Sequence, residues 1–175
     1  NAKIIISVRD IRDMLISRYY HLINDKKHSM NKLISKLNFE EGFLLSISKH
    51  ITNKTNALTY YSEWISNWFK IAEKKKYLIL RYEDYFTDQE KYISQILNYL
   101  KLQNQFDAKK INESLILERR KNSNFEKNIN NRGVLQKTFR SGKTGEWKIL
   151  FTDKINDYII KNLGSNHRKE IFYNK

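Results

Sequence analysis

Arg9 follows the run Lys3-Ile4-Ile5-Ile6-Ser7-Val8, Asp10 comes next, and Ser17 stands eight positions after Arg9. A guanidinium keeps its charge and grips phosphate bidentately, and a hydroxyl two helical turns further on adds a donor. Far along the chain lies Arg140-Ser141-Gly142-Lys143-Thr144-Gly145-Glu146-Trp147-Lys148. Its two glycines let backbone amides come close to an anion. Arg140, Lys143 and Lys148 add positive charge, and Trp147 is an apolar anchor. Together the two segments have the chemistry to hold a phosphate on a nucleotide-type ligand. Each also fits a plainer role: Arg9 paired with a nearby carboxylate, Ser17 solvated, and a basic surface turn capped by Trp147. Gly142-Lys143-Thr144 spells the end of a nucleoside-triphosphate P-loop, but that motif needs a glycine where Lys137 stands and a strand before it. The P-loop reading of this segment is rejected.

The elements that must position these residues follow from patterning. Ile4, Ile5, Ile6 and Val8 form a β-branched run, the mark of a parallel strand buried on both faces. Ile11, Met14, Leu15 and Tyr19 then recur at helical spacing. Ligands of open α/β sheets bind beyond the carboxyl ends of strands, which is where Arg9 stands. Residues 56 to 73 predict an amphipathic helix with Tyr60, Trp64, Ile65, Trp68 and Ile71 on its core face. Lys74-Lys75-Lys76 complements the dipole at its end. Thr87 and Glu90 spell a capping box. Thr152 is placed to cap a last helix carrying Ile155, Tyr158, Ile159 and Leu163 and ended by Gly164. Phe39 to Leu44 begins a short helix, and Arg119 to Gln136 reads as a long loop of the kind that often forms a lid. The expected class is α/β, helix-rich, with a parallel sheet. Two strands are clear, a poor core by themselves, so further central strands are expected upstream.

With 175 residues, one domain spanning 1–175 is expected. Apolar residues at 40% supply a core, so overall disorder is excluded. The absence of cysteine excludes a disulfide framework and cysteine chemistry. There is no apolar run of membrane-spanning length and no visible signal peptide, so a cytoplasmic location is expected. No metal-ligand spacing is present. The net charge of +14 predicts attraction to polyanions: nucleic acid, an anionic membrane surface, or small phosphorylated or sulfated ligands. The lysines scatter along most elements instead of forming one stripe, which disfavours nucleic acid.

These motifs, in this order, resemble the sulfotransferases that use 3′-phosphoadenosine 5′-phosphosulfate (PAPS). In that family a strand ends in arginine and a serine follows eight residues later, as Arg9 and Ser17 do. The family's Arg-Lys-Gly-x-x-Gly-Asp-Trp-Lys is matched by Arg140 to Lys148, with Ser141 for the lysine and Glu146 for the aspartate. Tyr77 to Asp84 resembles its strand ending in Tyr-Glu-Asp, and Ser123-Asn124-Phe125-Glu126 resembles its Thr-Ser-Phe-Glu element. The resemblance covers roughly Lys3 to Leu163. It implies a P-loop-NTPase-like parallel sheet flanked by helices. It implies PAPS as sulfuryl donor, without a metal, and a hydroxyl or amine acceptor on a small molecule, glycan or lipid. Arg9, Ser17, Arg140, Ser141 and Gly142 would hold the 3′-phosphate, Tyr82 and Phe125 the adenine, with Ser123 in the threonine's place. Acceptor selection would fall to residues 24 to 55 and 119 to 136.

The family's Lys-Ser-Gly-Thr-type loop for the 5′-phosphosulfate and its catalytic histidine are upstream elements without counterparts here. No catalytic residue is therefore assigned. His21, His28, His50 and His167 are read as surface or core residues. The chain is expected to be the C-terminal portion of a longer enzyme, inactive by itself. The alternatives are a non-catalytic nucleotide- or polyanion-binding module of the same fold and, less favoured, a basic nucleic-acid-binding protein.

Overall fold

The computed structural model describes residues 2–51, 55–129, 143–163 and 171–173, with the side chains of 119–129 left out. Strand β1 (Ile5–Val8) leads into helix α1 (Ile11–Asn24), then α2 (Asn31–Ile34), α3 (Phe39–Ser48) and α4 (Ala57–Lys75). Strand β2 (Leu78–Arg81) follows, then α5 (Tyr82–Thr87), α6 (Gln89–Leu100), α7 (Ala108–Ile129), α8 (Trp147–Leu150) and α9 (Asp153–Asn162). The result is a helix-rich α/β fold with a small parallel sheet.

β1 and β2 pair in parallel, Ile5 with Leu78, Ile6 with Ile79, Ser7 with Leu80 and Val8 with Arg81. The next residues on the two strands are Arg9 and Tyr82, so this register brings two candidate ligand-binding residues to the same end of the sheet. The expectation of a β1 buried on both faces does not hold. Ile6 and Val8 are buried against Ala72, Trp68 and Phe69 of α4, whereas Ile5 and Ser7 are exposed. Helix α4 covers that face of both strands, while α5 and α6 pack against β2, and among the described residues no element covers Ile5 and Ser7 on the other face of β1.

Capping chemistry explains the helix starts. Asp10 accepts from Arg12 N at α1, Asn38 from Glu41 N at α3, and Asn56 from Thr59 N at α4. Thr152 accepts from Ile155 N at α9, as its sequence position predicts. At α6 the cap is Asp88, which accepts from Lys91 N, and not the expected Thr87. The Thr87 hydroxyl instead donates back to Glu83 O within α5. α4 stops at Lys76, which takes the left-handed conformation (φ 55°) behind the basic pair Lys74-Lys75.

The main core joins α1, α3, α4 and α9 through Ile11, Leu15, Phe43, Leu58, Ile65 and Ile159. Gly42 of α3 permits the approach of α1, because a Cβ there would stand 2.9 Å from Tyr19 Oη. The buried face of α4 matches the expected one only in part: Ile65 is fully buried and Trp68 half-buried against β1. Leu58, Ser62, Ile65, Ser66 and Ala72 are buried, whereas Tyr60, Trp64 and Ile71 are about two-fifths exposed. Tyr60 and Trp64 turn outward, while the Trp68 and Phe69 rings pack against β1 and Tyr61 against the main core. The segment read as a loop from Arg119 is helical as far as Ile129, and residues 130–136 lie outside the described residues. Gly164, the expected helix stop, also lies outside them, but α9 does end just before it, at Asn162.

The rotated face of α4 has a direct consequence for stability. Ile65→Ala empties a fully buried position and should cost about 2–5 kcal/mol, whereas Trp64→Ala should cost under about 1 kcal/mol. Urea unfolding midpoints of the two variants check the order; a larger loss from Trp64→Ala would contradict it.

Candidate functional site

Residues far apart in sequence meet where the two strands end. Arg9 is largely covered, and its Nη2 donates to the carbonyl of Lys143 at 2.7 Å. The Arg9 guanidinium also lies over the Tyr82 ring, 5.0 Å from its centroid, a cation–π approach set by the strand register. Its Nε is buried and has no hydrogen-bond partner among the described residues. A buried cationic donor without a partner is costly in a closed interior, and an oxyanion at this strand end would complete it.

The residue that brings Lys143 to Arg9 is Asp13. Its side chain is 1% exposed and stands 3.9 Å from Arg9 Nη2. Oδ2 accepts from Gly145 N at 2.6 Å and Oδ1 from Trp147 N at 3.2 Å. One carboxylate thus holds two backbone amides of the Gly-x-x-Gly-Glu-Trp segment across 132 and 134 positions of chain. Gly145 takes a positive φ of 77°, a conformation that favours glycine and turns its N–H toward Asp13. Ser17 follows Asp13 by four residues on α1 and is half-buried, so it lies in the same row one turn on.

Arg12 locks the neighbouring side. It forks onto Asp10, with Nε 2.9 Å from Oδ1 and Nη2 2.5 Å from Oδ2. Its guanidinium lies 3.4 Å from the Trp147 ring centroid and 4.6 Å from that of Phe172. Asp10 also accepts from Tyr173 N, and the Tyr173 hydroxyl donates to Asp84. Glu83 completes the tie between the strand ends, its Oε1 accepting from Asp10 N at 2.8 Å. Burial pushes the Glu83 carboxyl above its ordinary pKa, opposed by that backbone hydrogen bond.

Among the candidates from sequence, Arg9, Tyr82 and the Lys143–Trp147 end of the glycine segment come together, with Ser17 in line. Arg140, Ser141 and Gly142 lie outside the described residues. Ser123 and Phe125 sit on the backbone of α7, not in a loop, and their side chains are not described. Sequence reasoning missed Asp10, Asp13, Arg12 and Glu83. The available signal was a strand-terminal Arg-Asp followed three residues later by a second aspartate at helical spacing.

A family model described as "Sulfotransferase domain" matches residues 1–167. Similar proteins include a flavonol 3-sulfotransferase of Flaveria bidentis, 26% identical over 92% of this chain and 53% of its own length. A flavonol 4′-sulfotransferase of Flaveria chlorifolia is 25% identical over 92% of this chain and 51% of its own. Sulfotransferase 2A6 of Mus musculus is 26% identical over 86% and 51%. The chain spans about half the length of these relatives.

Two outcomes test the site's construction. Asp13→Ala strands two backbone amides and should cost about 1–3 kcal/mol, read from urea unfolding. For Glu83 the folded pKa is raised, so the native state keeps a proton that the unfolded chain has released. Stability therefore falls as pH rises from about 4.3 through the raised value. Glu83→Gln keeps the oxygen that accepts from Asp10 N and should flatten that fall. Unfolding midpoints followed upward from about pH 4.3 would refute this if both proteins declined alike.

Proposed function

The chain belongs to the sulfotransferase domain family, and from that premise we propose that it supplies the donor-anchoring half of a sulfotransferase that takes PAPS. The observation carrying this reading is the meeting of Arg9 with Lys143 and Tyr82, held by Asp13. A strand-end guanidinium, a glycine-bearing turn and an aromatic ring at one point suit an adenosine nucleotide with a phosphate on its ribose. In this reading Arg9, Ser17 and Arg140 grip the 3′-phosphate, with Ser141 and the Gly142 amide as further donors. Tyr82 and Phe125 hold the adenine, and Ser123 lies beside them. The Nε of Arg9, without a partner among the described residues, fits such a ligand.

The donor brings the sulfuryl group that passes to a hydroxyl or amine. The task of these residues is placement. A nucleotide fixed at its remote 3′ end presents its reactive end in a narrow range of positions, and such orientation lowers the barrier by several kcal/mol. The 3′-phosphate clamp also discriminates this donor from ATP, which carries none. Stabilising the leaving oxygen and activating the acceptor need an oxyanion-type donor and a base, and no residue of this chain is assigned either role. A larger P-loop-NTPase-like sheet within one domain is part of the same proposal. Small-molecule acceptors are the favoured class, in line with the flavonol sulfotransferases among its relatives.

Arg140→Ala should weaken adenosine 3′,5′-bisphosphate about tenfold or more, the loss of a charged hydrogen bond, and leave 5′-AMP nearly unchanged. Calorimetric titration of both nucleotides measures this. Equal losses for the two would overturn the assignment of Arg140 to the 3′-phosphate.

A further inference from the structure

A cavity of about 460 Å³ lies beyond the C-terminal half of α1, starting one residue after Ser17. Arg18 and His21 face it from α1, His28 from the α1–α2 connection, Lys49 and His50 from the end of α3, and Tyr61 from α4. Among the described residues, no aspartate or glutamate lines it. Leu22, Met30 and Ile51 form its apolar wall.

Arg18 is half-buried, and its described partners are neutral. Nη1 donates to Ser46 O at 3.0 Å, and the side chain hydrogen-bonds Tyr61. Burial presses its pKa below the ordinary arginine value, with Tyr61 opposing. A desolvated guanidinium without a carboxylate is normally compensated by a counter-anion. Lys49 adds a second positive charge at the rim.

His28 is fixed for donation. Its Nδ1 accepts from Met30 N at 3.1 Å, so the neutral ring carries its proton on Nε2. The far wall is pinned as well. His50 pairs with Asn56 in an antiparallel bridge, and Ile51 N donates to Thr55 O.

We propose that this cavity is a binding site for a small organic molecule bearing an oxyanion, a carboxylate, sulfate or phosphate, attached to an apolar or aromatic body. The oxyanion sits between Arg18, Lys49 and the histidine donors, and the body lies against Leu22, Met30 and Ile51. The volume suits a ligand of one or two rings. The cavity draws on residues 18–61 and is distinct from the Arg9 strand end. Under the transferase reading such a ligand is the acceptor, but the binding claim stands without it.

The test follows the histidine ring signals by NMR while benzoate, phenyl phosphate or benzyl alcohol is titrated into the whole chain. The two anions should give saturable shifts, and neutral benzyl alcohol should bind about tenfold more weakly or not at all. Lys49→Glu, at an exposed position, should weaken the anions about tenfold. Arg18→Gln keeps an amide donor for Ser46 O and should weaken them at least as much. Arg9→Gln should leave the shifts unchanged. Absence of saturable shifts, equal binding of benzyl alcohol, indifference to both Lys49→Glu and Arg18→Gln, or loss of the shifts in Arg9→Gln would each overturn the proposal.

Discussion

A single buried carboxylate sets the geometry of the strand end. Asp13 accepts from the amides of Gly145 and Trp147 and faces Arg9. Two backbone hydrogen bonds and a nearby guanidinium repay the desolvation of a charge that could not otherwise be buried. The consequence is geometric: a turn more than a hundred residues away closes against the end of β1, and Arg9 meets both that turn and Tyr82.

Acidic side chains therefore build a site suited to an anion. Asp10 binds Arg12 and the amide of Tyr173, Asp84 accepts from the Tyr173 hydroxyl, and Glu83 accepts from Asp10 N. Arg12 is held between Trp147 and Asp10 and packs more than it attracts ligand. Among the described residues Arg9 Nε is buried without a partner, which separates Arg9 from Arg12. A net charge of +14 does not by itself distinguish these roles; the local partners do.

Much of the frame could be read from the chain. β1 follows from its β-branched apolar run, β2 from the resemblance of Tyr77 to Asp84 to the family's strand ending in Tyr-Glu-Asp, and α9 from Thr152 and its spaced apolar residues. What failed were judgements of which surface is buried. Trp64 and Tyr60 carry large apolar areas yet stand about two-fifths exposed, while Leu58, Ser62, Ile65 and Ser66 are buried, because helix packing rewards shape as well as hydrophobicity. β1 alternates because, among the described residues, only one of its faces is covered. Arg9 was legible as a candidate from its place at a strand end, where it meets Lys143 and Tyr82. Asp13 was not, since its partners are amides at positions 145 and 147 and backbone groups leave no mark on side-chain patterns.

Residue-resolved amide hydrogen exchange at Gly145 and Trp147 tests this account most directly, in the parent chain and in Asp13→Ala. The account predicts that both amides are protected in the parent and that the variant loses this protection while the amides of α1 and α4 keep theirs. Exchange at free-peptide rates in the parent, or protection unchanged by the substitution, would contradict it.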